Sequence, residues 1–234
     1  MDKISVCIAT YNGEKYIKKQ LLSILPQLSE NDEVIISDDN STDSTLLIIS
    51  QINDSRISVS VNKERSGPIG NFEQALKRAT GNYIYLSDQD DIWEADKVKI
   101  TQSLLKDHDL ILSDCRVVNE NNLVLHESFF NLRGSRKGFW HNLYKNSYVG
   151  CCMAFRKEIL TYVLPFPRHI HMHDWWIGLL VEVKGKVYFY SSPLIKYVRH
   201  GNNASPTGEK GYGLTKQVSN RFFMLLNVVK RLRM

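Results

Sequence analysis

Four short apolar runs, each followed by polar residues and the first three then by a helix-like segment, constrain the fold of this chain more than any other feature. Ile4–Thr10 reads as a first strand, and Gly13–Leu28 as a helix with Tyr16, Ile17, Leu21, Ile24 and Leu28 on one face. Val34–Ile36 follows as a second strand, and Ser41–Ile52 as a helix opened by the capping residues Ser41, Thr42 and Asp43. Ile57–Val61, Ile69–Ala79 and Tyr83–Leu86 continue the alternation as strand, helix and strand. Such a pattern builds an α/β fold: a Rossmann-like, mostly parallel central sheet with helices on both faces. A length of 234 residues suits one domain, read as 1–205, followed by a basic amphipathic tail, 206–234.

In sheets of this kind ligands bind beyond the carboxyl ends of the strands, where the strand order reverses. Three polar clusters fall at those ends: Ala9-Thr10-Tyr11-Asn12, Ser37-Asp38-Asp39-Asn40 and Ser87-Asp88-Gln89-Asp90-Asp91. Neither a Gly-x-Gly-x-x-Gly run nor a Walker-type lysine loop follows the first strand, so the usual dinucleotide and triphosphate cradles are absent. Asp88, Asp90 and Asp91 repel one another unless a cation or ligand offsets them, which makes a metal site the first reading and an acidic surface turn the second. Asp39 is placed to accept a hydrogen bond from a uracil or thymine imide, or else to cap the next helix. Tyr11 can stack on a base and the Ala9 backbone can pair with it. Asn71 is a further donor-site candidate, although Asn is routine near a helix start.

The second half is less regular. Leu110–Leu112, Cys152–Phe155 and Val187–Tyr190 read as strands, and Arg156–Val163 and Trp175–Val183 as helices. Asn119–Asn146 carries mixed aromatic and basic residues and reads as a loop-rich acceptor region. The net charge of +5 is concentrated toward the C-terminus in Lys210, Lys216, Arg221, Lys230, Arg231 and Arg233. These alternate with Phe222, Phe223, Leu225, Leu226, Val228 and Val229, as in a helix lying on an anionic membrane or one packed on the domain or a partner chain. Nucleic acid is disfavoured, because the Asp-rich strand end repels phosphate. The start of the chain lacks a signal-peptide pattern and no apolar run is long enough to span a bilayer, so a cytoplasmic protein is expected, peripheral to the inner face of the membrane if the tail binds there. Cys7, Cys115, Cys151 and Cys152 lack zinc-ligand spacing and are expected to be free thiols.

Taken in order, Thr10-Tyr11-Asn12-Gly13, Asp38–Asp43, Gly81–Ile84, Asp88–Trp93, Gly150–Phe155, His173-Asp174-Trp175-Trp176 and Tyr197–Asn203 resemble glycosyltransferase family 2. In motif form they are most similar to bacterial rhamnosyltransferase-like O-antigen and capsule enzymes. The resemblance implies a GT-A fold and inverting transfer of a sugar from a nucleotide-diphosphate donor, dTDP-rhamnose or UDP-hexose. The implied acceptor is a saccharide hydroxyl, here expected on a lipid-diphosphate carrier. It implies Mn²⁺ or Mg²⁺ held by Asp90, with Asp88 supporting it or binding the donor, together with Thr10, Tyr11 and Asn12. His200 is a second metal candidate, against a solvated loop histidine. Asp174 is the candidate base, against a plain helix cap, with Trp175 and Trp176 offering a face for the acceptor sugar. A metal-dependent nucleotidyltransferase and a non-catalytic receiver-like module are the alternatives.

Overall fold

The computed structural model describes residues 2–201 and 213–233. The first half runs β1 (Ile4–Thr10), α1 (Ile17–Ile24), β2 (Glu33–Asp38), α2 (Thr45–Ile52), β3 (Ile57–Val61), α3 (Pro68–Arg78) and β4 (Tyr83–Asp88). Next come β5 (Ile92–Trp93), α4 (Lys97–Leu104), β6 (Leu110–Asn119), β7 (Val124–His126), α5 (Phe129–Arg133) and α6 (Phe139–Tyr144). The chain continues through β8 (Met153–Arg156), α7 (Leu160–Val163), α8 (His173–Lys184), β9 (Val187–Arg199) and α9 (Leu214–Leu232).

Among the described residues the strands form one nine-stranded sheet in the order β3-β2-β1-β4-β8-β6-β9-β5, with β7 paired to β6. β1 lies between β2 and β4, parallel to both, so the order reverses at β1 and opens a crevice beyond the carboxyl ends of β1 and β4. Thr10–Asn12 and Asp88–Asp91 stand at that crevice. Ile4, Val6, Ile8, Val34, Ile36, Ile84 and Leu86 are buried, which is the near-continuous apolar burial of a parallel sheet covered on its faces.

Several elements differ from the sequence reading. The first helix ends early, in a 3₁₀ turn Leu25–Gln27 that contains Pro26. The second helix begins at Thr45, because the Ser41 hydroxyl is drawn to Asp38 and Asp43 receives the Thr45 amide. β6 and β9 are far longer than their apolar cores, since they pair in parallel over most of their length. Asp114 interrupts the apolar pattern of β6, yet it is buried and accepts hydrogen bonds from Ser128 and the amides of Cys115 and Phe130. Asn119–Asn146 is a hairpin turn and two short helices, more ordered than a loop-rich region.

α9 docks on the domain. Met224 and Val228 are buried, and Arg221, Asn227 and Arg231 donate to the carbonyls of Tyr144, His169, Tyr162, Leu164 and Pro165. The domain boundary read at residue 205, together with Asn202, Asn203 and Lys210, lies outside the described residues. No described helix is long and apolar enough to cross a membrane. All four cysteines are buried free thiols.

Candidate active site

The loop after β1 is tied to the end of β4 by a reciprocal pair: the Tyr11 amide donates to Gln89 Oε1 at 2.9 Å, and Gln89 Nε2 donates to the Tyr11 carbonyl at 3.0 Å. A Cβ on Gly13 would lie 2.3 Å from Gln89 Oε1, so a larger residue there would push the Gln89 amide out of this pairing. Tyr11 is thereby held with its side chain 56% exposed at the mouth of the crevice. Gln89 thus has a structural task that its place in the motif did not reveal.

Asp38 is fully buried and accepts from Thr10, Ser41 and the Ser41 amide, so it locks the second strand end to the first. Asp39 accepts from the Gly67 amide at 2.7 Å and from Asn62 Nδ2 at 3.2 Å, and it caps no helix. Thr10 and Asn71, both read as donor-binding, are buried at 1% and 2% exposure. Asn71 Nδ2 donates to the Thr10 carbonyl and the Thr10 hydroxyl to Asp38, so both side chains brace the crevice from behind. Tyr11, Asn12 and Asp39 remain as the side chains that can face a nucleotide, while Ala9 sits in register between Ser37 and Asp88.

β5 follows the acidic motif directly and pairs antiparallel with β9, setting Ile92 against Lys196 and Trp93 against Ile195. This zip brings together two residues 110 positions apart: His200 Nε2 lies 2.7 Å from Asp90 Oδ2. Both side chains are largely buried, at 4% and 11% exposure, so His200 is not a solvated loop histidine. Asp91 is buried beneath them and accepts from the Val198 amide at 3.1 Å.

The two sequence-designated metal candidates therefore converge. In this structure the two are joined by a direct hydrogen bond, and an imidazole and a carboxylate side by side are donors of the kinds that Mn²⁺ or Mg²⁺ accepts. A second donor group, Asp88, Asp91 and Cys151, has its ligand atoms within 4.8 Å of one another. It suits a hard cation less well. Burial and the charges of Asp90 and Asp88 push the Asp91 carboxyl well up, and the Cys152 contact and burial do the same for the Cys151 thiol, favouring the neutral forms.

Burial pushes the Asp88 carboxyl up to about 8, with Asp90 and Asp174 adding to the effect, so Asp174 belongs to the same electrostatic neighbourhood. Asp174 stands in the first turn of α8. Its Oδ2 accepts from the Gly150 amide at 3.1 Å and its Oδ1 from the Trp175 amide at 2.6 Å. Burial raises its carboxyl to about 7 in spite of those bonds. His173 stacks on Phe72 with centroids 4.2 Å apart, and burial lowers its imidazole to about 3, so it stays neutral. A Cβ on Gly150 would sit 3.0 Å from His173 Nε2, so a larger residue there would press on the His173 ring.

Trp175 and Trp176 require a correction. They are 5% and 0% exposed, with their indole N–H groups donating to the carbonyls of Asn142 and Val163. α8 is buried from His173 through Val181, so neither ring offers a sugar-stacking face. Trp140 and Tyr144 on α6 are exposed instead, as are Tyr188 on β9 and Phe222 and Phe223 on α9. Two residues that sequence reasoning passed over also border the site. Tyr16, read only as part of a helix face, stacks on His200, and Glu120 accepts from the Tyr16 hydroxyl. Lys15, Tyr16, Lys19, Asp90, Glu120 and Asn122 border a cleft of about 240 Å³.

A sheet with polar loops at its switch point, an Asp-x-Asp strand end and a carboxylate at a helix start is the arrangement of a GT-A-type glycosyltransferase. The chain matches the model of glycosyl transferase family 2 over residues 5–164 and belongs to that family. It is 28% identical over 180 residues to the Escherichia coli UDP-Glc:alpha-D-GlcNAc-diphosphoundecaprenol beta-1,3-glucosyltransferase WfgD, covering 76% of this chain and 69% of that protein. It is 30% identical over 221 residues to the Shigella flexneri dTDP-rhamnosyl transferase RfbG, covering 84% of this chain and 72% of that one. The S. aureus TarS 1–349 structure in complex with UDP-GlcNAc superposes with a TM-score of 0.72 at 21% identity, over 96% of this chain and 67% of TarS 1–349, which shows the shared fold. Against another S. aureus TarS 1–349 structure the chain spans 60% of the length. Family membership sets aside the nucleotidyltransferase and receiver-like alternatives.

Proposed function

We propose that this enzyme transfers a hexose or rhamnose from UDP or dTDP to a hydroxyl of a lipid-diphosphate-linked saccharide, with inversion, in bacterial surface polysaccharide synthesis. The observation that carries the reading is the meeting of Asp90 and His200 next to Asp88, whose carboxyl also feels the charge of Asp174. Tyr11, Asn12 and Asp39 would bind the nucleoside, with Thr10, Asn71 and the Ala9 backbone bracing that surface. Asp90 and His200 would hold the cation, Mn²⁺ or Mg²⁺, with Asp88 beside them. Bound there, a divalent cation neutralises the charge that grows on the departing diphosphate.

In the single displacement the bond from the anomeric carbon to the donor phosphate breaks as the acceptor oxygen bonds to that carbon. The hydroxyl proton passes to Asp174. A carboxylate raised to about 7 is well matched to that task near neutral pH, and the two amide bonds hold it in one orientation. The relatives named above support the donor and acceptor classes, since one uses UDP-glucose on a diphosphoundecaprenol-linked sugar and another dTDP-rhamnose.

Thermal shift against UDP, dTDP and their sugars should give stabilisation that depends on Mn²⁺. At a hundredfold excess over Kd the gain is about 2.7 kcal/mol, several degrees in Tm. Equal shifts without metal, or none with any nucleotide, would count against the reading.

The exposed side of α9 supports peripheral contact with the inner face of the membrane, where a lipid-linked acceptor would be presented. Val218, Phe222, Leu226, Val229 and Leu232 are exposed along it, and residues 213–233 carry five cations and no acid. Phe222→Ser, Leu226→Ser and Val229→Ser combined should abolish sedimentation with phosphatidylglycerol vesicles and spare activity on a soluble acceptor. These substitutions leave the buried Met224 and Val228 in place. Sedimentation equal to wild type would refute membrane contact through this face.

A further inference from the structure

β6 and β9 leave their shared ladder together: Asn119 pairs with Arg199, and the next residue on each chain is Glu120 and His200. His200 thus lies one residue beyond the last ladder pair, where the sheet no longer fixes its ring. Tyr16 spans the gap. Its ring stacks on the His200 imidazole with centroids 4.5 Å apart and planes 12° from parallel, and its hydroxyl donates to Glu120 Oε1 at 2.5 Å. Both ends of this bridge are anchored. The Tyr16 amide donates to the Gly13 carbonyl in the loop after β1, and the turn carrying Glu120 is closed by Asn119 Oδ1, which accepts from the amides of Asn121 and Leu123.

We infer that Tyr16 and Glu120 are positioning residues for His200, an aromatic clamp that turns Nε2 toward Asp90. The inference rests on the reading of Asp90 and His200 as the cation's ligands. The imidazole of a metal-binding histidine is normally oriented by a neighbour, and loss of such a neighbour weakens metal affinity about ten- to hundredfold. Here the neighbour acts on the ring face, and the carboxylate acts one step further out by fixing the tyrosine. The arrangement also joins three separate strand ends: the nucleotide-facing loop after β1, the β6–β7 turn and the end of β9.

Mn²⁺ affinity, measured from the free-ion paramagnetic resonance signal in the presence of UDP without any sugar, tests the clamp apart from turnover. Tyr16→Leu, which removes the stacked ring, should weaken Mn²⁺ about tenfold or more. Tyr16→Phe keeps the ring and loses only the bond to Glu120, so it should weaken Mn²⁺ a few-fold, as should Glu120→Gln. Tyr16→Phe is the variant least able to disturb folding, and unchanged circular dichroism in it secures the comparison. In a His200→Ala background the Tyr16 substitutions should have no further effect, which a merely structural tyrosine would not produce. Wild-type Mn²⁺ affinity in both Tyr16 variants, alongside weakened affinity in His200→Ala, would overturn the clamp and leave the metal reading standing. Wild-type affinity in His200→Ala would overturn both.

Discussion

Asp90→Asn should abolish nearly all sugar transfer, lowering kcat/KM by about a thousandfold, some 4 kcal/mol of transition-state stabilisation. The substitution is nearly isosteric, so the packing around the motif survives. What is lost is the ionised oxygen that stands 2.7 Å from His200 Nε2. A hard divalent cation left with an amide and an imidazole binds far more weakly, and the donor diphosphate loses its counter-charge. Donor affinity in the presence of Mn²⁺ should therefore fall together with turnover. Steady-state kinetics on a purified acceptor measures the first effect, and turnover near wild type would remove Asp90 from the site.

Asp174→Asn should be as inactive for a different reason. A base is needed only once the acceptor hydroxyl attacks, so the loss should fall on kcat, about a hundred- to ten-thousandfold, with donor affinity retained. In the wild type the ionised form of Asp174 is the active one, so activity should fall as pH drops below about 7. The same group makes a stability prediction. Its folded-state value lies about three units above that of an unfolded aspartate, so its contribution is fully present below about pH 4 and is lost as pH rises through about 7. At about 1.4 kcal/mol per unit, the ionised buried carboxylate costs up to about 4 kcal/mol at pH 8. Asp174→Asn removes this pH dependence, so its Tm relative to wild type should rise by up to about 10 °C between pH 4 and pH 8. That rise comes on top of a constant loss, because its NH2 cannot accept from one of the two backbone amides. Calorimetric melting at the two pH values checks this, and a difference from wild type that is the same at both would mean the carboxylate is better solvated than its burial suggests.

The first half of the fold was legible because parallel strands buried on both faces leave unbroken apolar runs, and Ile4–Thr10 and Ile57–Val61 match the observed strands at both ends. β6 and β9 were read as short because Ser113, Asp114, Arg116 and Pro193 break the apolar pattern, and only their pairing with each other extends them. In the site, the strand-end acids announced themselves by mutual repulsion. Asp90 and His200 meet through the β5–β9 pairing, a contact over 110 positions that no local pattern encodes. Trp175 and Trp176 were misread because an aromatic pair beside a candidate base looks the same whether it lines a cleft or fills a core. The amphipathic period of the last helix showed two faces, and the structure assigns Met224 and Val228 to the domain. Tyr16 carried no separate signal, since one more aromatic at helical spacing reads as packing.

The division of labour between Asp90 and Asp174 is the central claim, and calorimetric titration of the preferred nucleotide sugar with Mn²⁺ into wild type, Asp90→Asn and Asp174→Asn tests it most directly. Both variants should be inactive, with donor binding lost in Asp90→Asn and kept at wild-type strength in Asp174→Asn. Donor binding lost in both, or kept in both, would contradict the account.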